Sequence, residues 1–191
     1  MIVRLVGSEM CIRDREKNMS ISLSDASLKT YRQLLPASLA IMKKAEKYFT
    51  DEGANLNDLA EMRLIEDMAP LTFQVFSVVH HSVGAIDALK TGEFAPPKMP
   101  ENLSFNDLID MLENAEEKLK HFSDEDINSL SGKEVMFRMG QIEWAFTAED
   151  FILSFSLPNF YFHVTTLYDL FRVKGLEIGK LDFAGTLRIK N

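Results

Sequence analysis

The chain has 191 residues, of which 46% are hydrophobic and 26% are charged, and its formal net charge is −8. This composition is typical of a single globular domain. The acidic balance argues against nucleic acid or an anionic membrane as a partner, because both are recognised through basic patches. No apolar run is long enough for a transmembrane helix. The single cysteine, Cys11, cannot form an internal disulfide, so we expect a cytoplasmic protein.

The first eighteen residues differ in character from the rest of the chain. Residues 5–15, LVGSEMCIRDR, resemble the translated end of a sequencing adapter, and they show neither a helical nor a strand period. We therefore interpret residues 1–18 as a non-native extension and residues 19–191 as one helical domain. A genuine N-terminal arm is the alternative, and finding the same residues upstream in the source genome would establish it.

The first part of the domain predicts a long helix and a short one. Apolar side chains recur every three or four positions over residues 24–49, and Ser24 or Asp25 can cap the start. Pro36 lies inside this helix and should kink it. A short helical piece is expected over residues 56–68, after a loop.

The next two helices have clear start and stop signals. Pro70 suits the first turn of the second long helix, and Gly92 is a typical left-handed stop. The middle of this helix is apolar on nearly all sides, which predicts a central, buried position. The proline-rich residues 93–102 are expected to form a loop. Ser104 and Asp107 then predict a capping box at the start of the third helix.

Residues 134–147 change from a helical period to an alternation of two, which predicts a β-hairpin. A two-residue turn at Gly140 and Gln141, with glycine first, suits type II′. The resulting register pairs residues of similar or complementary character on each face. The expected pairs are Met139 with Ile142, Phe137 with Trp144, Val135 with Phe146 and Arg138 with Glu143.

The remaining residues predict a last helix and an extended tail. Thr147 can cap a helix over residues 148–174, which Pro158 should kink or break. Gly175 is the expected stop. The apolar side chains of the tail are expected to pack along the outside of the bundle.

This order of three helices, hairpin and last helix resembles the DinB/YfiT-like superfamily of metalloenzymes. Two stretches are similar to a subgroup called domain of unknown function 1993: MAPLTFQVFSVVHHSVGAIDAL (68–89) and LPNFYFHVTTLYDLFRVKGLEIGKLDF (157–183). The resemblance covers essentially all of residues 19–191. It implies a mainly α fold: an up-down-down-up four-helix bundle with a β-hairpin before the last helix. It also implies a homodimer, but no known activity.

The resemblance further implies a divalent metal site, with one histidine on the second helix and an HxxxH pair on the last helix. The first maps to His80 or His81, and His163 is the only histidine of the last helix. Leu167 and Asn159 occupy the positions four residues away on either side, so the HxxxH pair is missing. A zinc, nickel or iron ion would then have His80 and His163 as ligands, with Asn159 as a weak third donor.

Regular helix geometry separates the two neighbouring histidines by about 100°. His80 shares a face with Phe73 and Phe76 and is expected to point inward, whereas His81 faces a neighbouring helix or the surface. Gln74 falls on the side of His81 and is left out of the pocket. A buried neutral histidine needs a hydrogen-bond partner. The expected partners in a pocket around His80 are Ser77, Asn159, Tyr161, His163 and Tyr168.

Two classes of function follow from these residues. The favoured hypothesis is a dimeric, non-catalytic or ligand-binding module in which His80 and His163 fix helix packing. The alternative is a degenerate metal-dependent enzyme of the transferase type, with a polar pocket around the same two histidines that takes a metal or an acidic small molecule. The sequence names no substrate, and it does not decide whether the protein is an enzyme.

Overall fold

The computed structural model describes residues 21–190, so the interpretation of residues 1–18 as a non-native extension lies outside the described residues. The helical elements are numbered in chain order, with two π-helical turns designated π1 and π2. They are α1 (Leu23–Ala26), α2 (Leu28–Asp51), α3 (Leu56–Ala60), α4 (Leu71–Val79), π1 (His80–Gly84), α5 (Ala85–Thr91), α6 (Phe105–Lys120), α7 (Asp124–Asn128), α8 (Ala148–Asp150), π2 (Phe151–Ser156), α9 (Leu157–Val173) and α10 (Lys180–Ala184).

Four helical stretches form the bundle: α2, α4 with its continuation through π1 and α5, α6, and α9 with its lead-in through π2. Helix α2 packs against α6 and α9, and α4 packs against the same two helices. Fully buried rings fill the space between them, including those of Tyr31, Phe105, Phe160 and Phe171. The predicted mainly α bundle, with a hairpin before its last helix, is confirmed. No helix within residues 21–190 is both long and apolar enough to cross a lipid bilayer.

Local capping signals set several helix boundaries. Ser104 accepts from the backbone N–H of Asp107, whose carboxylate accepts in return from the N–H of Ser104, as the sequence predicts. The start of the first helix differs from the prediction, because Ser22 is the cap and forms its own capping box with Asp25. The chain then breaks at Ser27 before α2, and α2 continues through Pro36.

The β-hairpin consists of β2 (Glu134–Met139) and β3 (Ile142–Thr147), and its register is the predicted one in all four pairs. Gly140 has a φ of +61°, whereas Gln141 is not among the described residues with a positive φ. A type II′ turn with glycine first requires this combination. On the polar face, Arg138 Nε donates to Glu143 at 3.1 Å.

A third strand, β1 (Glu93–Phe94), was predicted to be part of a loop. It pairs with β2 in parallel, so the sheet order is β1-β2-β3. Two residues are too few to show an alternating pattern, and the pairing depends on a strand forty residues away. Gly92 ends α5 with a φ of +77°, and its carbonyl accepts from Met136 N–H at 2.8 Å. This turn places the Phe94 ring inside the protein, where it is 4% exposed.

Candidate functional site

The histidine pair lies in π1, where the second bundle helix departs from regular α geometry. His81 is buried at 8% exposure, and His80 is half-buried. The sequence placed His81 toward a neighbouring helix or the surface, and its ring does face the neighbouring helix α9, 6.0 Å from the ring of His163. A π-helical turn accommodates one extra residue, and such turns are common at functional sites. The rotation of about 100° between neighbours, on which the prediction relied, does not describe this turn.

Three imidazole rings meet at this point, and we call His80, His81 and His163 the histidine cluster. The ring centroids of His80 and His81 lie 5.2 Å apart, and those of His81 and His163 lie 6.0 Å apart. His80 and His163 have no ring contact with each other within the described residues. His81, which was left out of the predicted pocket, is thus the central member of the cluster.

Gln74 fixes the orientation and tautomer of His163. Its side-chain amide N–H donates to the carbonyl of Ala69 at 2.9 Å, so its oxygen faces His163. That oxygen lies 2.8 Å from His163 Nδ1 and can only accept, which assigns the hydrogen to Nδ1. His163 Nε2 therefore presents a lone pair. Leaving Gln74 out of the site was therefore wrong. The sequence placed Gln74 on the same helical face as His81, seven residues away, and that face belongs to the site.

Two ring nitrogens of the cluster have no hydrogen-bond partner among residues 21–190. They are Nε2 of His80 and Nδ1 of His81, and both atoms are buried. Buried polar groups in proteins are almost always paired, and an unpaired one costs about 1–3 kcal/mol. The hypothesis that His80 and His163 are hydrogen-bonded packing residues leaves the buried Nε2 of His80 unexplained.

Burial keeps the cluster uncharged at neutral pH. It lowers the pKa of His80 and of His163 from 6.5 to about 4. Burial lowers the pKa of His81 further, to about 3, and the neighbouring His80 and His163 add to this effect. All three imidazoles are therefore neutral at pH 7, and each can donate one hydrogen bond and accept another.

Aromatic rings surround the cluster. Phe94 stacks on His80 with centroids 4.2 Å apart, and Phe155 lies 5.8 Å from His81. The rings of Phe73 and Phe162 lie 5.7 Å and 5.3 Å from His163. The third strand is what brings Phe94 to this position. The site therefore combines neutral polar nitrogens with apolar walls.

Gly84 leaves the space that the His80 ring occupies. A Cβ atom at Gly84 would lie 2.9 Å from His80 Nδ1, which is closer than real side chains approach. The φ of Gly84 is −61°, so the position needs glycine for space and not for backbone conformation. The position of the His80 ring thus depends on a residue without a side chain one turn later.

Two buried hydroxyl groups form a hydrogen-bonded chain that ends at the backbone of π1. Ser156, the last residue of π2, donates its hydroxyl hydrogen to the backbone carbonyl of His81 at 2.8 Å. Its oxygen lies 2.9 Å from the hydroxyl of Tyr31, which must then be the donor. Tyr31 and Ser156 are both fully buried. These hydrogen bonds connect α2 and π2 to the backbone of His81. No sequence motif predicts them.

Two of the predicted polar partners of the histidines donate hydrogen bonds to backbone carbonyls instead. Asn159 donates to the carbonyl of Phe155 in its own helix at 2.7 Å. Tyr161 is 42% exposed, and Tyr168 donates to the carbonyl of Ile178. Ser77 is buried on α4. Within residues 21–190, none of these four side chains forms a hydrogen bond with a histidine, so Gln74 replaces them all as the protein partner.

The cluster does not have the donor set of a divalent metal site. Catalytic zinc sites have three protein ligands and one open position. Among residues 21–190, no group of three or more His, Cys, Asp or Glu side chains is arranged to hold a metal ion. The pair proposed from the sequence, His80 and His163, is separated by His81. The residues present thus do not fit the metal that the superfamily resemblance implies.

Comparisons with known proteins agree with the fold. The family model described as "Domain of unknown function (DUF1993)" matches residues 23–184. The crystal structure of a DinB family member protein from Shewanella denitrificans aligns with a TM-score of 0.74 and 24% sequence identity, and the alignment covers 88% of this chain and 95% of that one. At this identity the likeness concerns the fold. No curated protein matches the chain.

Proposed function

The chain belongs to the DUF1993 family, and from that premise we propose that it is a binding module for a small, uncharged organic molecule at the histidine cluster. The observation that carries the proposal is the pair of buried, unpartnered nitrogens, His80 Nε2 and His81 Nδ1. A ligand that pairs with them removes an unfavourable free energy of about 1–3 kcal/mol for each nitrogen. A purely structural role offers no such compensation.

The chemistry of the cluster favours an uncharged ligand. The imidazoles are neutral at pH 7, because burial lowers the pKa of each of them. An acidic molecule, which the sequence also suggested, would find no cation among the three rings to pair with. Burying an unpaired carboxylate is costly, whereas a hydroxyl or amide can exchange hydrogen bonds with neutral imidazoles. The aromatic walls suit an apolar body.

Binding explains the side chains of the site better than catalysis does. The nearby hydroxyls serve the protein itself, since Ser82 donates to the carbonyl of Val78 at 2.7 Å and Ser156 donates to that of His81. Neither is positioned as an activated nucleophile, which would need hydrogen-bond contact with a general base. No carboxylate joins the described cluster to orient a histidine for proton transfer.

Phenol is a suitable first probe, because it combines one hydroxyl with an apolar ring. We expect a phenol titration of the untagged full chain, followed by NMR, to give saturable shifts in α4, π1 and α9. The variant His81→Ala should bind at least about tenfold more weakly, since it removes about one hydrogen bond's worth of free energy. The matched control is His121→Ala, because His121 is the remaining histidine and its side chain is 75% exposed.

Two results would contradict this proposal. One is a phenol titration without saturable shifts at the cluster, together with a His81→Ala variant that loses only stability, which would make the histidines structural. The other is stoichiometric zinc, nickel or iron in the purified protein that is lost in His163→Ala. That result would support the metal-dependent transferase that the sequence offers as the alternative.

A homodimer through the outer face of α9 is part of this proposal. Phe162 and Val173 are 57% and 73% exposed, and they lie eleven residues apart, or about three helical turns. Both therefore project from one side of the helix. We expect Val173→Glu to shift the mass measured by light scattering from dimer to monomer, because it places a charge in an apolar contact. Lys174→Glu, at an exposed neighbouring position, is the control. A wild-type monomer would contradict the proposal.

A further inference from the structure

A second candidate site lies on the opposite side of α9 from the histidine cluster. A groove of about 330 Å³ runs between α2, α9 and the C-terminal segment that contains α10. Lys180 and Arg188 line it together with the rings of Tyr161 and Phe183 and the apolar side chain of Leu34. Its volume is at the lower end of the range for small-molecule sites, about 300–1,000 Å³.

The groove is positively charged in an acidic protein. The chain has a net charge of −8, yet no acidic side chain is among the residues that line the groove. Within residues 21–190, neither Lys180 nor Arg188 forms a salt bridge. The nearest acidic residue in sequence, Asp182, forms a salt bridge with Lys44 and accepts from the backbone N–H of Gly179. Both cations are therefore available to an anion.

The C-terminal wall of the groove is docked closely on α2. Gln33 donates from its side-chain amide to the carbonyl of Ala184 at 2.9 Å. Gly185 follows with a φ of +62°, and a Cβ atom there would lie 2.9 Å from both Ala37 Cβ and the carbonyl oxygen of Gln33. Such a close approach of backbone to helix needs glycine. It fixes the start of the segment that carries Arg188 to the groove.

We infer that this groove binds a small organic phosphate, with the phosphate between Lys180 and Arg188 and the apolar body against Tyr161 and Phe183. Two cations match the charge of a phosphate monoester at neutral pH, and the planar guanidinium of Arg188 can donate two parallel hydrogen bonds to it. Leu34 and the two rings provide apolar surface for the rest of the molecule. This site is independent of the function proposed for the histidine cluster.

Phenyl phosphate is the probe for this inference, used in calorimetric titrations of the full chain at low salt. We expect saturable binding that weakens as salt is added, because screening reduces the attraction of exposed charges. The double variant Lys180→Gln/Arg188→Gln should bind at least about tenfold more weakly, as expected for the loss of charged hydrogen bonds. The control Lys118→Gln/Lys133→Gln removes the same charge at exposed positions outside the groove, and it should bind like the wild type.

Three outcomes would overturn the inference. The first is the absence of saturable phenyl phosphate binding. The second is an equal loss of affinity in the two double variants, which would mean that phenyl phosphate responds only to overall charge. The third is equal affinity for inorganic phosphate and phenyl phosphate, because the rings of Tyr161 and Phe183 would then contribute nothing. Weaker binding of inorganic phosphate than of phenyl phosphate is the expected result.

Discussion

Acidification from pH 6.5 to pH 4 is expected to reduce the free energy of unfolding by about 3–6 kcal/mol. The three histidines of the cluster have an ordinary pKa of 6.5 in the unfolded chain, and burial lowers it to about 4, 3 and 4 in the folded protein. Between these values the unfolded chain binds more protons than the folded one. The contribution of the three neutral histidines to the free energy of unfolding is therefore complete above pH 6.5. It is lost as the pH falls from 6.5 through their folded-state pKa values.

The size of this effect follows from proton linkage. Each histidine that is neutral when folded and protonated when unfolded contributes a slope of about 1.4 kcal/mol per pH unit. His81 and His163 are 8% exposed and should contribute most of it, whereas the half-buried His80 contributes less. Carboxylates act at lower pH, since hydrogen bonds from Lys29 and Ser22 lower the pKa of Asp25 to about 2.

Urea unfolding at a series of pH values between 7.5 and 4 measures this slope. His81→Gln should lower the slope by close to one histidine's contribution, about 1.4 kcal/mol per pH unit. The matched control is His121→Gln, the same exchange at an exposed position. A His81→Gln variant with the wild-type slope would mean that His81 is not a buried neutral group in the folded protein.

The variant Ser156→Ala is expected to lower the free energy of unfolding by about 2–4 kcal/mol. It leaves the hydroxyl of Tyr31, which is fully buried, without its partner, at a cost of about 1–3 kcal/mol. It also removes the hydrogen bond to the His81 carbonyl, which contributes about 1 kcal/mol. Because this bond holds the backbone of π1, the ring of His81 should also become more mobile.

Chemical denaturation and the NMR ring signals of His81 report these two effects separately. Ser38→Ala is a matched control, because the buried hydroxyl of Ser38 donates only to the carbonyl of Leu34 within its own helix. Its loss leaves no orphaned partner, so it should cost about 1 kcal/mol or less. Equal destabilisation by the two substitutions, with unchanged His81 signals, would argue against a supporting role for Ser156.

Several features of the fold could be predicted because neighbouring residues specify them. Ser104 and Asp107 lie three positions apart and form the predicted capping box, and Gly92 ends its helix in the left-handed region. The hairpin register followed from matching side chains across a two-residue turn. In each case, the interacting residues are close in the sequence, so the sequence contains both partners and their spacing.

The candidate site was predicted only in part, because its decisive contacts join distant parts of the chain. His80 and His163 were identified, but the sequence placed them together and left out His81 and Gln74. The π1 turn changes the direction of the side chains locally. The partner of His163 is Gln74, eighty-nine residues away, and the support for His81 comes from Ser156, seventy-five residues away.

The sequence by itself determined the helical bundle, the hairpin register and the family, since these rest on periodicity and on short-range patterns. The tertiary structure alone decided that His81 is central, that Gln74 sets the tautomer of His163, and that Phe94 covers His80 from a third strand. The physical reason is that a buried polar group takes whichever partner the packing brings within about 3 Å. Which partner that is depends on how the helices pack against one another.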